Sequence, residues 1–254
     1  MNLDGRTVLI AGGRRLGVKL ALLLAERGAN IAFSYLNNPQ PIMEAVNQCE
    51  DLGVRAEAFP ADLRHPGDAT SLVEETFQTF GSLEALINMT SVYKPTPLDT
   101  LEPGDFEAAI TSNLTAPYYT SLAAAKVMRR RPIENGIQGK IIHFTDWAVE
   151  RPYKDYLPYL VAKGGLVTLT KVLAAELAPT ITVNAIAPGT VLPPPDAKPE
   201  QLEAICRTSA LKRIGSPDDV NRAVLYLLEG SDFVTGEVFR IDGGRFLGNT
   251  EGGA

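Results

Sequence analysis

The stretch TVLIAGGRRLG, residues 7–17, decides the fold. Its apolar run stops at Gly12 and Gly13, and over residues 16–27 apolar side chains recur at helical spacing, so it reads as strand, glycine turn and helix start. The same alternation continues down the chain. Strands are predicted at 30–35, 55–60, 83–89, 140–145, 181–186 and 237–241, with helices at 42–52, 68–80, 105–130, 156–177 and 216–228. Unbroken apolar strands alternating with amphipathic helices imply an α/β architecture, a doubly wound parallel sheet covered on both faces, with residues 1–254 as one domain. The segment from Val191 to Pro199 holds Pro193, Pro194, Pro195 and Pro199 and cannot join a central strand. Residues 190–210 are therefore expected to form a loop at the carboxyl edge of the sheet, where ligands bind, and to act as a substrate lid.

The 254 residues, 45% hydrophobic and 21% charged, suffice for one full core. A net charge of −6 argues against a nucleic-acid or anionic-membrane surface, either of which needs a basic patch. The single strong basic run, Arg129 to Arg131, is expected to be a solvated helix end with cations at the negative pole. Cys49 and Cys206 lack CxxC spacing, and His65 and His143 stand alone, so neither a disulfide nor a metal cluster is expected; a cytoplasmic setting fits. Neither a signal peptide nor a run of roughly 20 apolar residues that would span a bilayer is legible.

A strand, a glycine turn and a helix N-terminus together point backbone amides and the helix dipole at an anion, which suits a pyrophosphate. The bland alternative is a tight turn that needs glycine only for positive φ. The second strand ends in FSYLNN, residues 33–38, without the carboxylate that would bond the ribose of NAD. Arg14 and Arg15 lie in the turn instead, and a missing anion beside two guanidinium groups favours the extra phosphate of NADPH.

The other informative stretch is YLVAK, residues 159–163. On a helix, Tyr159 and Lys163 share one face a turn apart. A cation beside a phenol, whose ordinary pKa is ~10, favours the phenolate and readies the group for general acid chemistry.

Together with Asp62 and Leu63, the NMTS run at 88–91, Asn113, the APGT run at 187–190 and the terminal IDGG, these motifs resemble the short-chain dehydrogenase/reductase family over nearly the whole chain. The resemblance implies a Rossmann-like fold. Within the family the chain looks like the pteridine and dihydromonapterin reductases, on Arg15, INMTSVYKPTPL at 87–98, Asp146 where most members have serine, and VERPYKDYLPYLVAK at 149–163. It departs in a glycine loop one residue shorter, in Ala11 where threonine is common, and in Met89 and Thr90 where the family has Asn and Ala. The resemblance implies catalytic roles for Asp146, Tyr159, Lys163 and Asn113, with Tyr159 as proton donor, Lys163 lowering its pKa and Asn113 holding a water relay. It implies cofactor contacts at Gly12, Arg14, Arg15, Leu16, Ser34, Asn37, Asp62, Leu63, Asn88, Met89, Thr90, Tyr159, Lys163, Pro188, Gly189, Thr190 and Val191. Substrate contacts fall on Arg15, Tyr93, Asp146, Tyr159 and Leu192, with Tyr93 stacking on a flat heteroaromatic ring. Residues 236–244 resemble the part of the family that packs between subunits, which implies a homotetramer.

Asp146 separates the readings. Beside Tyr159 it either accepts from the N–H donors of a pterin, or is protonated by burial and donates as a serine would. The expected activity is NADPH-dependent reduction of a pterin or dihydropterin. The rivals are reduction of a 3-oxoacyl thioester or small carbonyl compound, and a non-catalytic dinucleotide-binding sensor.

Overall fold

Seven parallel strands form one sheet in the order β3-β2-β1-β4-β5-β6-β7. They are β1 (Thr7–Gly12), β2 (Asn30–Tyr35), β3 (Ala56–Pro60), β4 (Ala85–Met89), β5 (Gly139–Phe144), β6 (Ile181–Pro188) and β7 (Val238–Ile241). The computed structural model describes residues 1–193 and 197–248. Pro194 and Pro195 of the expected loop lie outside the described residues. Every residue of β4 and β5 is buried, which is why these strands read as continuous apolar runs. One face of the sheet is covered by α1 (Leu16–Ala25), α2 (Gln40–Asp51) and α8 (Pro217–Leu225), through Leu20, Leu24, Ile42, Val46, Val220 and Val224. The other is covered by α3 (Pro66–Phe80), α5 (Ala116–Met128) and α6 (Leu157–Leu177), through Leu72, Val73, Ala124, Met128, Leu173 and Leu177. Strand order reverses between β1 and β4, where Gly12 pairs with Met89, and a crevice opens at their carboxyl ends. Among the described residues no helix is long and apolar enough to cross a membrane.

Three expectations need correction. The helix read over 105–130 is split into α4 (Pro103–Ile110) and α5 by a π turn at Thr111–Thr115. Pro117 has no N–H to give the Asn113 carbonyl four residues back, so the ladder shifts to the wider spacing there. Residues 190–210 are not all loop, because α7 (Pro199–Thr208) fills the second half. Pro199 suits a first helical turn, the Gln201 side chain accepts from the Lys198 amide at 2.9 Å, and Arg207 lies in the last turn. No α7 side chain is fully buried, and the prolines at 193–195 and 199 just ahead of its apolar positions masked the helical pattern. The basic run is not simply solvated either. Arg131 is 9% exposed and its Nε lies 2.9 Å from the buried carboxylate of Glu84, while Arg130 pairs with Glu74.

A buried polar chain ties the sheet to its helices beneath the crevice. Thr170 Oγ donates to the Leu166 carbonyl at 2.8 Å, so it accepts from His143 Nδ1 at 2.9 Å. His143 Nε2 is then the acceptor for the Ser121 hydroxyl at 3.0 Å, and Ser121 accepts from Asn88 Nδ2 at 3.1 Å. The ring is neutral in this arrangement. Burial, and then the nearby Lys163 charge, depress His143 to about 3. Because its unfolded pKa is higher, the unfolded chain binds this proton first, and stability present above pH ~6.5 is lost as pH falls toward 3. Between neutral pH and pH ~5 this one group should remove about 2 kcal/mol of stability. Urea unfolding of wild type and His143→Gln at both pH values checks this: the variant should show a correspondingly shallower pH dependence, and an identical slope would exclude the assignment.

Candidate active site

The crevice holds a cleft of about 640 Å³ running from the β2 and β3 ends to Asp146, Tyr159 and Lys163. At its centre the glycine turn approaches β4 closely. Gly12 and Gly13 have φ of +79° and +80°, and a Cβ on Gly13 would lie 2.9 Å from the Met89 side chain. Met89 thus fills space beside the shortened turn. No side chain caps α1 and no acidic residue lies in its first turn, so the positive pole is left for an anion. Thr90 Oγ1 is buried without a partner, an unmet polar group on the cleft wall. Turn, open helix pole and orphaned hydroxyl fit a dinucleotide.

At the far end of the cleft, Ser34, Asp62 and Leu63 lie on the wall with Arg14, Arg15 and Leu16. Ser34 Oγ accepts from the Gly12 amide at 3.1 Å. Arg64 joins this group and escaped the sequence reading. Its Nε donates to Asp62 Oδ1 at 2.8 Å, and this bond holds the Asp62 carboxyl down to about 2. The signal was an acid and a base two residues apart just after a strand end. Asn37 is exposed and off the cleft wall. Asn88 lies behind the wall, bonded to Ser121 and Thr120. Arg15 Nη2 donates to the Pro193 carbonyl at 2.7 Å and so spans from the turn to the proline segment.

At the other end, the β5 exit and α6 bring Asp146, Tyr159 and Lys163 together. The Tyr159 hydroxyl donates to Asp146 Oδ2 at 2.8 Å, and Asp146 Oδ1 accepts from the Ala148 amide at 2.8 Å. Lys163 is held at both ends: its carbonyl accepts from Thr145 Oγ1 at 3.1 Å and its Nζ donates to the Phe144 carbonyl at 2.7 Å. Lys163 Nζ lies 5.8 Å from the centre of the Tyr159 ring, yet the phenol is not lowered overall. Burial, and next the Asp146 charge, raise Tyr159 well above the ordinary tyrosine value. The ammonium meanwhile serves a main-chain carbonyl, and burial lowers Lys163 itself to about 8. Burial also pushes Asp146 up, against the amide and phenol bonds that favour its ionised form. The proton of this pair therefore sits on Tyr159.

Asn113 lies in the π turn with its amide fully committed: Oδ1 accepts from the Val92 amide at 3.1 Å, and Nδ2 donates to the carbonyls of Val92 and Ala109. It clamps the chain before Tyr93. Tyr93, 54% exposed, stacks on Tyr156 at 4.4 Å and 13° and meets Tyr159 edge-on at 5.0 Å. Its hydroxyl lies 3.1 Å from that of Tyr153. Pro188 and Gly189 reach the cleft, whereas Thr190 and Val191 line a neighbouring cavity and Leu192 is partly buried beside them. Arg245, also missed, borders that second cavity.

Residues 10–245 match the family described as Enoyl-(Acyl carrier protein) reductase. An uncharacterized oxidoreductase of Mycobacterium tuberculosis is 28% identical over 254 residues, covering 98% of this chain and 94% of the relative. The 3-oxoacyl-[acyl-carrier-protein] reductase FabG of Staphylococcus epidermidis is 28% identical over 251 residues, 95% of this chain and 99% of its own. Among solved structures, a short-chain dehydrogenase/reductase of Serratia marcescens superimposes with a TM-score of 0.88 at 28% identity, covering 97% of this chain and 100% of that one. A dehydrogenase/reductase of Sinorhizobium meliloti does so with a TM-score of 0.86 at 31% identity, with 96% of each chain covered. The likeness covers nearly the whole chain, and the protein belongs to the short-chain dehydrogenase/reductase family, oxidoreductases that work with a nicotinamide dinucleotide.

Proposed function

We propose that the protein is an NADPH-dependent reductase of a pterin or dihydropterin. The observation that carries this reading is the Tyr159 hydroxyl donating at 2.8 Å to a carboxylate, Asp146, on the cleft wall, with the ring of Tyr93, itself stacked on Tyr156, meeting Tyr159 edge-on. A serine beside the tyrosine would donate to a carbonyl that is becoming an alkoxide; an ionised carboxylate opposes that charge. It suits a ring that presents N–H and amino donors. Asp146 accepts from those donors, Tyr159 delivers a proton to a ring nitrogen, and Tyr93 supplies an aromatic face. The bound dinucleotide supplies the hydride. Asn113 acts through position in this scheme, because its amide holds residue 92 and thereby the Tyr93 ring.

Reduction of a 3-oxoacyl thioester is the second reading. It is favoured by the Staphylococcus epidermidis relative, named for that activity, and by the description of the matching family. Dinucleotide oxidation with dihydrobiopterin, dihydromonapterin, dihydrofolate and acetoacetyl thioester, run side by side on wild type and Asp146→Ser, separates the two. Pterin turnover should exceed thioester turnover and fall at least about 100-fold in the variant. Turnover of the thioester alone, or a variant that improves it, overturns the pterin reading.

Preference for NADPH rests on the absence of a carboxylate at the β2 end and on Arg14, Arg15 and Arg64 along the same wall. Arg14→Ala should raise the KM for NADPH about tenfold and leave that for NADH within about twofold. Equal changes for the two would remove the phosphate contact. Lys163 bears on pH dependence. Its lowered value, about 8, means the ammonium is lost as pH rises through that range. Activity should therefore fall on the alkaline side of about 8, and a flat profile there would show that the charge is not needed.

A further inference from the structure

Among the described residues, Arg245, on the cavity next to the cleft, has no ion-pair partner. Arg245 follows the turn after β7, where the Asp242 carboxylate accepts from the amides of Gly244 at 2.9 Å and Phe246 at 2.7 Å and so fixes the backbone. Its guanidinium lies over the ring of Trp147, with Cζ 4.6 Å from the centroid. Nη1 donates to Thr190 Oγ1 at 3.1 Å. Nε is buried without an acceptor, and among the described residues no carboxylate lies within ion-pair distance of the group. The charged and polar groups whose fields reach it are Asp146, Tyr153, Tyr93 and Arg151. Three of these belong to, or adjoin, the Tyr159 site, and Trp147 directly follows Asp146 in the chain.

Half-burying a guanidinium with its Nε unmet and no carboxylate beside it is unfavourable, and stacking plus the one bond to Thr190 offset only part of that cost. The arrangement makes sense if an acceptor arrives with the ligand. Asp146 and Arg245 then form a complementary pair: a carboxylate that takes N–H donors and, beyond it, a fork of donors that takes an oxygen. Building on the pterin reading, we propose that Arg245 is a specificity-determining residue that donates to the ring carbonyl oxygen of an amino-oxo pteridine. A diamino analogue, in which an amino group replaces that carbonyl, offers the guanidinium nothing to bond.

The test is calorimetric binding of dihydrobiopterin and of the diamino analogue to enzyme saturated with the oxidised dinucleotide NADP⁺, which has no hydride to transfer, for wild type, Arg245→Met and Arg245→Lys. Quenching of Trp147, the chain's single tryptophan, gives an independent optical readout beside Arg245. Arg245→Met should weaken dihydrobiopterin between about 10- and 100-fold and leave the diamino analogue within about threefold, and Arg245→Lys should recover part of the loss. Equal losses for both ligands, or weakened NADPH binding in the variant, would mean a merely structural role and overturn the assignment. Wild-type enzyme that binds neither pteridine would overturn the pterin reading itself, and this assignment with it.

Discussion

A parallel sheet sealed on both faces leaves polar chemistry few places to go. Its strands are buried along their length, so groups that must meet a ligand collect where strands end and loops begin. In this protein the carboxyl ends of β1, β4, β5 and β6 deliver the glycine turn, Thr90, Asp146 and Gly189 to one cleft. The reversal of strand order between β1 and β4 keeps that cleft open. Everything else in the site is arranged around this edge: α6 runs back along it to present Tyr159 and Lys163, and the π turn seats Asn113 behind the exit of β4.

Burial also decides protonation. Tyr159, Lys163 and His143 are each pushed toward their neutral forms by loss of water, and Asp146 is pushed the same way against its hydrogen bonds. The cluster resolves this by giving each group one directional partner. Tyr159 donates to Asp146, Lys163 to a main-chain carbonyl, and His143 to Thr170. The phenol is thus stored in its acid form, beside the base that holds it.

Most of the architecture was legible because it follows from local pattern. Unbroken apolar runs separated by helical spacing gave the strands, and the glycine turn located the first crossing. The Tyr159 and Lys163 pairing was legible as a position on one helix face, but not its geometry: that the ammonium turns to Phe144 depends on where β5 ends against α6. The π turn at Asn113 needed the consequence of Pro117 drawn four residues back. Arg131 was read as solvent-facing because its partner, Glu84, lies across a loop and a strand end. Arg245 was invisible for a related reason. It is distant in sequence from Trp147 and Thr190, and only tertiary packing brings them together.

The bond from Arg15 to the Pro193 carbonyl ties two parts of the cleft that no secondary structure connects. A residue of the nucleotide turn is thereby a fastening for the segment leading to α7. A guanidinium has five N–H donors in a rigid fork, so it holds a carbonyl with one arm and still faces an incoming anion with the others. The turn and the proline segment consequently share one mechanical joint, and a cofactor that settles at the turn does so against the anchor of the loop across from it.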